Sequence, residues 1–102
     1  MKRTEEQVIA LAKKIITDLD PKALDFDKVE QAKFIPDYKP LRGQDKDKIT
    51  PSWLVTIRNA FGQVDFLAIA DESGEPLHYQ NSNTAVFEIE KREDGTYKKS
   101  AA

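Results

Sequence analysis

WLVTIRNAFGQVDFLAIADESGEPLHY, residues 53–79, holds the chain's clearest run of alternating residues. Trp53, Val55 and Ile57 alternate with Leu54, Thr56 and Arg58, a period of two that suits a pleated strand. NAFGQ, residues 59–63, has turn composition, and Val64 to Ala70 resumes the alternation, with Phe66 and Ala68 on one pleat and Leu67 and Ile69 on the other. This pattern predicts an antiparallel hairpin from Ser52 to Ala70. Its second strand is apolar on both pleats, so it is expected to be central and partly covered on both faces. DESGEP then turns the chain into a short strand, Leu77 to Gln80. After the turn NSNT, Ala85 to Lys91 places Phe87 and Ile89 inward and Glu88 and Glu90 outward. Trp53, Val55, Phe66 and Phe87 are the core residues expected from these strands, since aromatics at this spacing in a small domain serve packing.

Upstream, Thr4 followed by Gln7 matches a capping box, in which hydroxyl and amide satisfy free donors of a first helical turn. Val8, Leu11, Ala12, Ile15 and Leu19 recur at helical spacing, Ile9 and Ile16 widen the apolar face, and Pro21 limits continuation. An amphipathic helix from Thr4 to Leu19 follows, of about four turns. KVEQAKFI, Lys28 to Ile35, reads as an extended segment stopped by Pro36. Pro36 to Pro51, with three prolines, a glycine and mixed charges, reads as a long exposed loop. REDGTYKKSAA offers a turn at Asp94 and Gly95, then a frayed tail from about residue 96. The expected fold is α+β: one domain over residues 1–102, with the helix packed on a four- or five-stranded antiparallel sheet.

The helix, the aromatic-aliphatic WLV at Trp53, and the strand running into Asp-x-x-Gly-Glu at Asp71 to Glu75 together resemble PepSY-like domains. They are also similar to small immunity domains of bacterial toxin systems. The resemblance covers Thr4 to about Gln80. It implies a helix on a curved antiparallel sheet, as in cystatin-like folds, with the Asp-x-x-Gly-Glu element as a tight turn, and it implies an immunity partner encoded beside its toxin.

Sixteen basic and 18 acidic residues are mixed along the chain, for a net charge of −2, so no basic stripe exists to neutralise phosphates and nucleic acid is not an expected partner. The absence of cysteine removes disulfides, thiolate metal sites and Cys nucleophiles together. Glu5, Glu6, Lys13 and Lys14 interrupt the apolar positions near the N-terminus, which leaves no signal peptide or membrane span in view. The expectation is a cytoplasmic protein without membrane association, unless a leader was cleaved beforehand.

DESGE holds three acids around a serine and a glycine, and invites a catalytic reading. Aspartic proteases need two contiguous Asp-Ser-Gly or Asp-Thr-Gly loops, whereas Glu72 separates Asp71 from Ser73 and there is no second copy. As a turn every residue has a role: Asp71 accepts backbone hydrogen bonds, Gly74 supplies positive φ, and Pro76 starts an edge strand. Metal binding by Asp71, Glu72 and Glu75 has no completing ligand, and DKDKIT, residues 45–50, puts Ile49 and Thr50 where a calcium loop needs an oxygen and a glycine. His78, the only histidine, is read as a surface or edge-strand residue. It could join Ser73 or Ser82 and Asp71 only without a nucleophile elbow or an oxyanion loop.

Two functions remain. The first is a non-catalytic protein-binding domain without cofactors, within it an immunity protein that neutralises a toxin. Its candidate partner-binding residues are Tyr38, Arg42 and Asp45 in the long loop with Asp71, Glu72 and Glu75 in the turn, the first two as anchors and the acids as steering charge. The alternative is a small-molecule-binding or enzymatic domain with a cone between helix and sheet, lined by Trp53, Tyr79, His78 and Asp71.

Overall fold

The computed structural model describes residues 1–41 and 46–100, so Arg42 and Asp45 lie outside the described residues. Helix α1 covers Glu5–Leu19. It begins as its sequence requires: Thr4 accepts from the Gln7 amide at 3.2 Å, and the Gln7 side chain accepts from the Thr4 amide at 3.0 Å. A 3₁₀ turn, Ala23–Asp25, follows, and then six strands: β1 Lys28–Ile35, β2 Ser52–Arg58, β3 Val64–Ala70, β4 Pro76–Gln80, β5 Val86–Lys91 and β6 Tyr97–Lys99. Each strand pairs antiparallel with the next in sequence, which makes an open sheet in the order β1-β2-β3-β4-β5-β6. Among the described residues no helix is long and apolar enough to cross a membrane.

Six strands replace the expected four or five. The additional one, β6, lies in the segment read as a frayed tail. It is held because the Tyr97 ring is buried in the core, its amide donates to the Asp18 carboxylate of α1 at 3.3 Å, and Ser100 N continues the pairing to Glu88 O at 2.8 Å. The edges of the sheet are therefore β1 and β6. Pro76 does not open an edge strand: β4 lies between β3 and β5, and the missing N–H costs nothing because pairing to β5 begins only at His78.

Register decides which pleat faces the helix. Trp53 lies opposite Ile69, Val55 opposite Leu67, Leu67 opposite Tyr79 and Tyr79 opposite Phe87, and facing residues share a side of the sheet. These pack with Val8, Ala12, Ile15 and Ile16 of α1 into one core, with Phe87 and Ile89 partly buried against it. Phe66 pairs with Thr56 and so sits on the other pleat, only partly covered. The expected core was right for Trp53, Val55 and Phe87 and wrong for Phe66. Leu67 and Ile69 take the helix side instead.

The face away from the helix is covered in part by the loop, most of whose described residues are exposed as expected. Thr50 N donates to Tyr38 O at 2.7 Å and Asp47 N to Pro40 O at 3.1 Å, folding the loop back on itself, and Pro40 is fully buried. The strand ends then define two poles. One carries the N-terminus, the β1–β2 loop, and the β3–β4 and β5–β6 turns. The other carries the end of α1, the 3₁₀ turn, and the β2–β3 and β4–β5 turns.

Candidate functional site

The acidic turn at the first pole is a latch. Asp71 is buried, and its carboxylate accepts from Trp53 Nε1 at 2.8 Å, from the Lys2 amide at 2.7 Å and from the Arg3 amide at 3.1 Å. Burial pushes the Asp71 carboxyl up, but the bonds from the indole and the two amides outweigh it and hold the group below the usual carboxylate range. The Arg3 guanidinium donates to the carbonyls of Asp71 and Glu72. Gly74, at φ 74°, lies directly under that guanidinium, where a Cβ would meet Arg3 Nη2 at 2.8 Å. Glu75 accepts from the Tyr97 hydroxyl and from Lys91 Nζ. DESGE is thus a turn that clamps the N-terminus and strands β2 and β6. Of its three acids Asp71 is buried, Glu75 half-buried and Glu72 exposed, in a surface pair with Lys2 at 3.5 Å.

Tyr38 is turned inward too. Its ring stacks on His78 with centroids 5.8 Å apart, and its hydroxyl shares a 2.7 Å hydrogen bond with His78 Nε2. His78, expected at a surface or an edge, is 1% exposed on an interior strand. The lining proposed for a cone does not assemble: His78 faces the loop, while Trp53 and Tyr79 face the helix. Serines 73 and 82 do not meet His78 either; Ser73 Oγ accepts from the Glu75 amide and Ser82 Oγ donates to Gln63.

At the second pole Asp65 is buried and saturated. The Tyr79 hydroxyl donates to it at 2.6 Å, Ser82 N at 3.0 Å and Asn59 Nδ2 at 3.4 Å. Burial, then Asp65, pushes the Tyr79 phenol far above its ordinary value. Burial, then Asp65, also raises the Asp27 carboxyl. A cleft of about 130 Å³ lies between these groups, Asp20 and Lys99. Lys99 Nζ rests 4.1 Å from the Tyr79 ring centroid; burial lowers the amine while Asp65, Asp20 and Asp27 oppose that shift. This arrangement stores charge against charge. Among the described residues no group of acids and histidine has the geometry of a metal site.

Beside this cleft stand the most exposed large apolar side chains after the N-terminal region is set aside: Phe61, 89% exposed on the β2–β3 turn, and Phe26, 69% exposed after the 3₁₀ turn. Lys28 pairs with Arg58, so the two segments continue side by side, and the Ala60 amide reaches the Asp27 carboxylate. The turn does not need Phe61. Asn59 Oδ1 accepts from the amides of residues 61 and 63, and Gly62 takes φ 76°. Neither phenylalanine was singled out from the sequence. A Phe between Asn and Gly belongs to no strand or helix period, and that was the available signal.

Helix, six-stranded meander and latched N-terminus define the chain as an α+β protein with one helix laid on an open antiparallel sheet. Comparison with protein families, curated proteins and solved structures finds no match to it.

Proposed function

We propose that this chain is a non-catalytic protein-binding domain that engages its partner through the pole bearing Phe61 and Phe26. The carrying observation is the exposure of these two phenylalanines on adjacent turns. Single exposed apolar residues are ordinary, but two large rings exposed on neighbouring turns and unused by the fold offer the apolar centre of an interface. Asp20, Lys22, Asp25 and Lys28 flank Phe26 in the sequence with charges of both signs, of the kind that the polar rim of such centres carries. Within this reading, the similarity to small immunity domains favours a toxin encoded by a neighbouring gene as the partner. Tyr38, Asp71 and Glu75 act in the fold, which leaves Glu72 as the exposed acid of the DESGE turn.

Co-production with the neighbouring gene's product tests the reading. A complex, and protection of cells from that product, is expected. Phe26→Ser with Phe61→Ser should weaken the complex about a hundredfold, as the loss of two interface anchors does. No complex and no protection would remove the immunity reading, and a complex indifferent to both substitutions would move the interface elsewhere.

A further inference from the structure

At the other pole a second cleft, about 350 Å³, opens between α1, the DESGE turn and β6, lined among others by Arg3, Leu11, Lys14, Ile15, Lys91 and Tyr97. Its volume lies within the range of about 300–1,000 Å³ typical of small-molecule sites. Its floor is apolar: Ile15 is buried, Leu11 is half-buried, and the Tyr97 ring is fixed by its hydroxyl on Glu75. Its charge is the reverse of the whole chain's. Three cations, Arg3, Lys14 and Lys91, line it against one carboxylate, Glu75.

The two lysines flank one ring. Lys14 Nζ is 5.6 Å and Lys91 Nζ 5.8 Å from the Tyr97 centroid. Lys14 pairs with Asp18 at 3.1 Å, a largely buried carboxylate that also accepts from the Tyr97 amide, and Lys91 pairs with Glu75 at 3.4 Å. The Lys91 pair is exposed on both sides and exchanges readily for a better acceptor, and the exposed Lys14 ammonium keeps donors to spare for a second one. A bare inorganic anion would engage the lysines and leave the half-buried Leu11 uncovered. An uncharged ring would cover Leu11 and add nothing to the lysines' existing pairs. The geometry points to a small aromatic carboxylate as the ligand of this cleft, its ring on the Leu11–Ile15–Tyr97 floor and its carboxylate between Lys14 and Lys91. The site is independent of the phenylalanine pole and of any protein partner there.

The test is an amide NMR titration of the full chain at constant ionic strength with three probes: benzoate, benzyl alcohol and inorganic phosphate. Benzoate should give saturable shifts at Gly74, Gly95 and Tyr97, with the other two probes binding at least about tenfold more weakly, since each lacks one half of the recognition. In Lys14→Gln with Lys91→Gln the benzoate affinity should fall about tenfold or more, because a charge-assisted contact is lost, while Lys13→Gln leaves it unchanged. Both lysines are exposed, and the spectrum of the double variant reports its fold; should that variant be misfolded, the comparison of the three probes on the unaltered chain decides. Absence of saturable shifts overturns the proposal, as do equal affinities for the three probes, or an affinity unchanged in a folded double variant.

Discussion

Asp71 shows how a residue with the look of chemistry can be spent on structure. Three donors converge on its carboxylate from two distant parts of the chain, and Trp53 owes its orientation to one of them. Asp71→Asn replaces a charged acceptor by a neutral one, and is expected to cost about 2 kcal/mol, in the range for hydrogen bonds to charged groups. Denaturant unfolding measures this. Because the folded carboxyl lies below its unfolded value, its contribution is complete above that unfolded value of about 4 and is lost as the pH falls through the folded one. The acid limb of the stability curve should therefore flatten in Asp71→Asn. Gly74→Ala should cost about 1–2 kcal/mol for the left-handed backbone, and more if Arg3 cannot withdraw from the new methyl group.

At the scale of elements, the helix and the first hairpin were legible because each announces itself locally: Thr4 and Gln7 cap α1, and residues 52–70 alternate around a turn. Three features were not. β6 has three residues, too few for an alternation to register, and is recruited by contacts far away in sequence, from Asp18 and Glu75. The inward pleat of β3 could not be chosen from its own composition, because Phe66, Ala68, Leu67 and Ile69 are all apolar; pairing with β2 chooses it. The loop's inward turn depends on Tyr38 finding His78, 40 positions away. Ile15→Asp should unfold the protein, since it buries an unpaired charge, whereas Phe66→Asp should leave a cooperative transition. Tyr97→Ala should cost about 3 kcal/mol, as for other buried aromatics. Thermal or denaturant melts check both claims, and a frayed tail would instead make Tyr97→Ala silent.

For the whole molecule, the three tyrosines report on its integrity, because each is held in a different joint. Burial raises Tyr38 under the loop; burial and Asp65 raise Tyr79; burial and then Glu75 push Tyr97 up to about 12. The neutral phenols contribute to stability below their unfolded value of about 10, and that contribution is lost as the pH rises through the folded values. The folded chain should show less phenolate absorbance at pH 10 than the unfolded chain, and the rise of that absorbance at higher pH should coincide with loss of the near-ultraviolet dichroism. The joints leave the two poles different in kind, one tied together by the Asp71 latch and the other presenting apolar rings. A photo-crosslinking benzoyl-phenylalanine placed in turn at positions 26, 61 and 72, in cells that carry the gene in its own context, tests the claim that the second pole is the interface. One discrete protein adduct is expected from positions 26 and 61 and none from 72; an adduct from 72 alone, or none from any position, would place the interface elsewhere.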